Sequence, residues 1–570
     1  MSDLHFTHER ADRDEEIAIA SALEGEGSAV QFDGDRISIG GRSRTSERRH
    51  LLLPGLWALH DAVGWISPGG LNSLSAALGV PPAEAYGVAT FYDLFHTSPP
   101  PPVTIRRCDD LACRVLVRAD DELDSNREIA MTPPIPNGDV VHTACLGQCD
   151  RGAAALVQRR GEPISVSYRS DSSAVVDGGT HPRLLRRVLA GDTGSLASYR
   201  AHGGFEVRAR ALELGPAAIL ELVSASGLQG RGGAAFPTGA KWLAVAEQTA
   251  AIKHVIANAD ESEPGTFKDR VLMERDPFAL VESMLVAGYA IGASRGWVYV
   301  RGEYPEARAR LAAAIDECRA AGLLGLEFDI ELRRGAGAYI CGEETALLES
   351  IEGYRGEPRN KPPYPTTHGL FGQPTVINNV ETLLNVLDVV ALGAQAWRSV
   401  GTEQSPGTRL FSLSGHVQRP GVYEHPMGVS LRRVIDAAGG PDGDRRLQAV
   451  LLGGAAGVLV GPDQLDIELS FEGARTANVT LGSGVVMVLD DSVDLRDFVG
   501  RATEFFAHES CGQCVPCRIG TQRQMEQVRA ATFDDALLGD LDRVMTDASI
   551  CGLGQTAASL VRSARALKML

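Results

Sequence analysis

The sequence predicts a multidomain α/β chain, and three observations predict it. Glycine-rich loops sit between strand-like and helix-like runs, as in Gly335 to Gly353, GAGAYICGEETALLESIEG. Eight of the ten cysteines fall into two quartets near opposite ends of the chain. Helical periodicity dominates the segments 48 to 97 and 492 to 570, which flank the mixed middle. At 570 residues the chain has room for about three to five domains.

The texture divides as a flexible arm over 1–47, a helical leader and cysteine domain over 48–170, and a linker over 171–204. A glycine-loop α/β domain follows over 205–404, then a strand-rich domain over 405–491 and a helical cysteine domain over 492–570. Lys plus Arg number 55 against 73 Asp plus Glu, a net charge of −18. That balance argues against a nucleic-acid or anionic-lipid partner. The start, MSDLHFTHERADRDEE, lacks the features of a secretory signal, and no apolar run reaches a membrane span. The expectation is a cytoplasmic protein with no membrane insertion.

In such a compartment cysteine clusters read as metal centres rather than disulfides. The arm is polar, with one short helical run near Ile17 to Leu23. In the leader, Leu51, Leu56, Leu59 and Val63 recur at helical spacing, and Pro81 and Pro82 suit the start of the next helix. A strand then ends at Cys108, and Cys113 follows at C-x4-C spacing; after 31 intervening residues come Cys145 and Cys149 at C-x3-C. Zinc favours C-x2-C knuckles. A two-iron cluster, with two thiolates per iron, accepts the wider spans. Small residues at Ala112, Ala144 and Gly147 leave backbone amides free for its sulfurs, so these four cysteines read as a 2Fe-2S site.

The segment Gly227 to Trp242, GLQGRGGAAFPTGAKW, follows a helix rather than a strand, and Ala235 replaces the last glycine of the dinucleotide fingerprint. A Rossmann unit is therefore disfavoured. The loop instead offers Gly230, Arg231, Gly232 and a helix start with Lys241 one turn on, a set suited to a phosphate. A strand at His254 to Ala257 runs into NADESEPGTFKDR, with Asn258, Asp260, Glu261 and Glu263 at its carboxyl end. These read as a solvated acidic turn, a divalent-metal loop, or polar groups for ribose and a flavin edge. A further strand covers Trp297 to Val300, and a helix covers about Tyr304 to Ala321 with Cys318 as packing.

The central stretch places Tyr339, Cys341, Gly342, Glu343 and Glu344 between the strand at 326–332 and the helix at 345–352. Carboxylates at a helix start are favoured by its dipole. Lys361 and Tyr364 lie in a proline-stiffened loop, and Asn378 and Asn379 precede a helical run, where an Asn pair is most simply a cap. Short alternating strands from Arg409 suit a small β-grasp domain, read here as a spacer without chemistry. Last, HESCGQCVPCRIGT places Cys511, Cys514 and Cys517 at C-x2-C-x2-C, with Cys551 after 33 intervening residues. Three close thiolates and a remote fourth suit a 4Fe-4S cubane.

Two resemblances attach to these motifs. The segment 48–170, with its cysteine spacing, resembles the thioredoxin-like ferredoxin subunit of respiratory complex I. The three glycine and acidic stretches, in order, resemble the NADH-binding flavoprotein subunit of complex I over about 205–565; relatives occur in soluble NAD-reducing hydrogenases and NAD-dependent formate dehydrogenases. That likeness implies FMN at Gly230, Arg231, Gly232, Lys241, Asn258, Asp260, Glu261, Tyr339, Gly342, Glu343, Asn378 and Asn379. It implies NAD(H) stacked on Phe236, with Glu263, Glu344, Lys361 and Tyr364 around it and Glu344 positioning the nucleotide. The small Ala244, where the family can carry an aromatic, thins one wall of the adenine site.

The implied activity is a diaphorase that exchanges hydride between NAD(H) and FMN and single electrons with two clusters. No side chain need act as acid or base. Both modules are fused in one chain, and CDDLACR and NADESEPGTFKDR resemble formate dehydrogenase β subunits. The expected partner is then a large catalytic subunit with further clusters and a molybdenum or tungsten site. A hydrogenase or complex I module is the alternative, and an electron-transfer scaffold without enzyme activity is the other class.

Overall fold

The computed structural model describes residues 8–24, 48–116, 131–169, 175–180, 182–191 and 193–570. Most of the arm, and residues 171–174 of the linker, lie outside the described residues. Within the arm, Arg13–Glu24 is a helix that buries Glu15 and Ile19 against the leader, so this part is packed rather than free. Leader helices span Leu52–Val63, Pro68–Leu78 and Pro82–Ala89. Ser67 caps the second by accepting the Gly70 amide, and Pro82 opens the third, where a missing N–H costs nothing.

The cysteine domain is a five-stranded mixed sheet with Val103–Cys108 between Ala155–Arg159 and Asp139–Thr143. The α/β domain holds four parallel strands in the order Thr375–Asn379, His254–Ala259, Arg295–Val300 and Asp329–Arg334. Helices pack on this sheet, led by Pro277–Ile291 and Val380–Leu392, which are apolar nearly all round because both are buried. A helix at Pro216–Ser226 precedes the glycine-rich loop, as the sequence indicates.

The segment expected as a linker is instead built into the fold. Val175–Asp177 forms the outer strand of the six-stranded β-grasp sheet, parallel to Gly421–Tyr423. Beyond it, the Glu424 carboxylate accepts the amides of Arg183, Leu184 and Leu185 at 3.0–3.1 Å. Arg187 pairs with Asp276 at 2.7 Å, both buried. The segment reads as a linker because its strand and its two helices, Arg186–Ala190 and Leu196–Ala201, are each too short to leave a clear periodic trace.

The β-grasp domain has its own core of Phe411, Leu413, Tyr423, Leu431, Val450, Leu452 and Val486. Four helices, Leu495–Glu509, Val515–Arg529, Asp535–Ala548 and Ser559–Ala566, make up most of the C-terminal domain. The leader and cysteine domain dock directly on the α/β domain. Trp57 donates its indole N–H to the Gly335 carbonyl at 3.2 Å, and the Asp93 and Leu94 amides donate to Gly337 and Ala336 at 3.0 Å. The glycine-rich central stretch is thus the surface on which the leader closes.

Candidate functional site

In a parallel sheet, ligands gather outside the carboxyl ends of the strands. Four loops meet there: Asp260 to Glu263, Arg301 to Glu303, Gly335 to Glu344, and the pair Asn378–Asn379. The register sets Asn379 beside Asn258. The Asn258 amide donates to the Gly342 carbonyl at 2.9 Å and joins the first loop to the third. Two buried features in this crevice point to a ligand. The Asp260 Oδ2 atom is buried without a hydrogen-bond partner, and burial pushes that carboxyl up to about 8. A Cβ built on Gly232 would lie 3.0 Å from Asn379 Cβ, so glycine keeps the loop close against the asparagine pair.

Charge concentrates at the rim. Lys241 donates to Glu344 at 3.2 Å, and Lys361 bridges Glu343 and Glu344 at 2.8 and 3.0 Å. Burial alone would raise Glu344, but the two lysines outweigh it and hold the carboxylate below its usual range. Phe236 and Tyr364 are exposed, at 54% and 57%, and Lys241 Nζ lies 5.7 Å from the Phe236 ring centroid. An exposed aromatic ring beside a cation and a fixed carboxylate suits a flat, polar nucleotide.

Several predicted site residues serve differently from the sequence reading. The Arg231 guanidinium is buried beneath the glycine-rich loop and donates to the Pro406 carbonyl at 2.9 Å, so the loop faces the crevice with backbone rather than with this cation. Glu261 is saturated: its oxygens accept Thr266 Oγ1 and the Asp269 and Arg270 amides, each at 2.9 Å, and the Tyr304 hydroxyl at 3.2 Å. It anchors the start of the helix Lys268–Arg275. Glu343 caps the helix Glu344–Ile351 by accepting the Thr345 and Ala346 amides.

Asn379 likewise caps Val380–Leu392, while its amide donates to Asp269; Asn378 accepts the Trp242 indole N–H at 2.9 Å. Glu263 accepts the Tyr339 hydroxyl and the Ala456 amide at 2.5 and 2.8 Å, and burial pushes it up to about 7. Ala456 belongs to the β-grasp domain, so that domain walls the crevice and is no mere spacer.

Each cysteine quartet comes together in space. Cys108, Cys113, Cys145 and Cys149 are all buried, with Cys145 and Cys149 sulfurs 3.4 Å apart. The Gly147 amide points at the Cys145 sulfur from 3.4 Å, and hydrogen bonds from Cys108 and Cys149 push Cys145 toward the thiolate that ligation needs. Cys511, Cys514, Cys517 and Cys551 line one cavity with Ile340, Pro358, Ser510 and Leu553. Ile340 lies two residues before Gly342 in the same short helix, Tyr339–Gly342, so this cavity backs onto the crevice.

The matching family models follow the same layout. Residues 41–164 match the thioredoxin-like 2Fe-2S ferredoxin, 223–388 the Nuo51 FMN-binding domain, and 410–457 the SLBB domain. Residues 497–567 match the NADH-ubiquinone oxidoreductase-F iron-sulfur binding region. The F 2 subunit of the NADH-quinone oxidoreductase of Rhizobium meliloti is 45% identical over 67% of this chain and 94% of its own length. The chain belongs to the NADH-quinone oxidoreductase F-subunit family.

NADP-reducing hydrogenase subunit HndC of Solidesulfovibrio fructosivorans is 43% identical over 65% of this chain and 79% of its own length. An NAD+-reducing NiFe hydrogenase, solved in the H2-reduced state, matches at 35% identity and a TM-score of 0.77, covering 92% of each chain. As a family member the chain is a diaphorase-type NADH oxidoreductase subunit that binds FMN, NAD(H), a two-iron and a four-iron cluster. The donor sets fit these groups: two all-thiol quartets, and a glycine-lined crevice with an unpartnered buried carboxyl oxygen. Among the described residues no helix is long and apolar enough to cross a membrane.

Sequence reasoning missed the seam between the two-iron loop and the crevice. Arg270 donates to Gln148 and to both oxygens of Asp150 at 2.7–2.9 Å, all three residues being buried. Arg301 donates to the Cys145 carbonyl at 2.6 Å and to the Glu261 carbonyl at 2.8 Å. Arg301 stands one residue past the strand Arg295–Val300, and that placement was the one signal that could have found it.

Proposed function

We propose that this chain is the NAD(H)-reacting diaphorase subunit, the β subunit, of a soluble NAD-linked formate dehydrogenase. Its partner would be a large catalytic subunit with further iron–sulfur clusters and a molybdenum or tungsten site. The fusion supports a soluble NAD-linked module over complex I and fits either a formate dehydrogenase or a hydrogenase. The NADH-quinone oxidoreductase relatives cover about two thirds of this chain, 66–69%, whereas the NAD+-reducing hydrogenase of known structure spans 92% of it. CDDLACR and NADESEPGTFKDR, which resemble formate dehydrogenase β subunits, carry the choice of formate.

In this reading Phe236 and Tyr364 flank the nucleotide, and Lys241 and Lys361 fix the Glu344 carboxylate that orients it. FMN, when bound, converts a two-electron hydride exchange into one-electron steps suited to the clusters. Asp260, Gly342 and the backbone of Gly230 to Gly233 would hold it. Glu263, tied to Tyr339 and Ala456, keeps the β-grasp loop closed over the crevice and excludes water there.

Purification with the native partner tests the assignment. Formate-dependent NAD+ reduction with molybdenum or tungsten in the complex is the expected result. Nickel with hydrogen-dependent NAD+ reduction gives the hydrogenase reading, which the 92% structural coverage favours. Protein that holds both clusters but no FMN would reduce the chain to an electron-transfer scaffold; the Lys241–Glu344–Lys361 rim speaks against that outcome.

A further inference from the structure

Two arginines meet where the β-grasp domain touches the glycine-rich loop. Arg231, in the loop, and Arg409, at the start of the strand Thr408–Gly415, are 1% and 0% exposed. Their guanidinium carbons lie 5.8 and 5.9 Å from the same Phe471 ring. Each donates to a backbone carbonyl, Arg231 to Pro406 and Arg409 to Gly482. Arg231 Nε and Arg409 Nε and Nη1 are buried with no partner.

The nearby carboxylates are already engaged. Glu381 pairs through Oε2 with Lys268 at 2.8 Å and accepts the Leu410 amide through Oε1 at 2.9 Å. Asp269 pairs with Lys268 at 2.9 Å and accepts the Asn379 amide. Among the described residues, no carboxylate oxygen pairs with Arg231 or Arg409 within 4.0 Å. Burial, with Glu381 opposing it and Arg409 adding to it, brings Arg231 down to about 10, which leaves it a cation at neutral pH.

Two buried cations that face only carboxylates already paired with Lys268 are costly, because desolvation and like-charge repulsion both oppose them. An anion nearby offsets both. The pair has no solvent-exposed surface, so it acts on an anion through the loop above it. There Gly233 packs on Gly482, the residue whose carbonyl Arg409 holds; a Cβ on Gly233 would lie 3.8 Å from it. A field from buried charges is poorly screened by salt and persists across a layer of backbone.

We infer that the Arg231–Arg409 pair is the electrostatic floor of an anion site whose contacting surface is the backbone of Gly230 to Gly233, and that the anion is the flavin's phosphate. Arg409 is then a positioning residue, carried by the β-grasp domain, that makes the crevice prefer FMN over unphosphorylated riboflavin. The inference rests on the FMN reading of this loop.

The test compares FMN and riboflavin binding to the flavin-depleted full chain by quenching of flavin fluorescence. In Arg409→Gln the ratio of FMN to riboflavin affinity should fall about tenfold while riboflavin binding holds. Arg409→Lys, which keeps the charge, should restore most of the ratio. Should Arg409→Gln not accumulate as folded protein, Arg231→Met removes the other cation and is read in the same way. An unchanged ratio, or equal loss of both ligands in every variant, overturns the inference and assigns the pair to packing. Wild-type protein that binds neither flavin overturns the FMN reading itself, a different outcome.

Discussion

The two cysteine quartets both border the flavin crevice and differ in enclosure. Cys108, Cys113, Cys145 and Cys149 are buried at 6% exposure or less, and their loop is clamped to the α/β domain by Arg270 and Arg301. In the second quartet Cys511 and Cys514 are only half-buried, and the neighbouring Val515 and Ile519 are 59% and 48% exposed. Yet that quartet also backs onto the crevice through Ile340. One cluster site is therefore sealed, and the other opens from the flavin to the protein surface. A sealed site suits storage and exchange with the flavin alone, and an open one suits delivery to a partner. Nor is the two-iron domain a distant appendage, since its own cysteine loop is bolted to the crevice.

The largest expected effects separate the quartets by composition. Fully loaded protein should hold about six irons and no zinc, two plus four. Cys514→Ser should remove the four-iron EPR signal and about four irons, and Cys108→Ser the two-iron signal and about two. Either variant keeping both signals would break the ligand assignment.

Next in size is the clamp. Arg270→Gln leaves the Asp150 carboxylate, which is 1% exposed, with only the more distant Arg151 at 3.9 Å, and should cost about 3–5 kcal/mol in denaturant unfolding. The two-iron domain should loosen first, seen as earlier loss of its signal. Simultaneous loss of both cluster signals would show that the two quartets share one cooperative unit.

A smaller effect belongs to the rim between them. Glu344→Gln leaves Lys241 and Lys361 without this shared carboxylate and should raise KM for NADH about tenfold, with FMN content and both EPR signals unchanged. Loss of FMN instead would move Glu344 from the nucleotide to the flavin.

The smallest effect is a pH dependence in the flavin-free chain. Burial raises Asp260 from 3.8 to about 8 and Glu263 from 4.5 to about 7. Groups protonated in the fold but ionised when unfolded stabilise fully below their unfolded values, and that contribution is lost as pH climbs through the folded ones. Tm should therefore fall between about pH 5 and about pH 8, and Asp260→Asn should flatten the upper part of the fall. A Tm that rises across this range would contradict the assignment.

Much of this layout was legible because its signals are local. Cysteine spacing picked out both quartets, and strand runs closing on glycine picked out the crevice: the strand expected from His254 is the strand His254–Ala259. The cap role of one member of the Asn pair, Asn379, was legible as well. What was not legible depends on contacts between distant residues. Arg270 meets Gln148 across 122 positions and Arg301 meets Cys145 across 156, and neither leaves a periodic trace. Arg231 and Glu261 occupy loop positions whose spacing fits phosphate or flavin. Which way each side chain turns is decided by Pro406 in one case and by the helix Lys268–Arg275 in the other. The strap at 175–201 reads as a linker because the strand it joins lies about 240 residues ahead, a separation beyond any local pattern.

The central claim is that the half-exposed quartet is the exit from the flavin and the sealed quartet a side store. Turnover of Cys514→Ser and Cys145→Ser in the complex with the native partner, with rapid-mixing spectra after NADH addition, tests it most directly. Cys514→Ser should lose electron transfer between NADH and the partner while still reducing an artificial dye, and Cys145→Ser should be slowed far less. A dead Cys145→Ser complex beside a Cys514→Ser complex of normal turnover would route the electrons through the sealed quartet and contradict that claim.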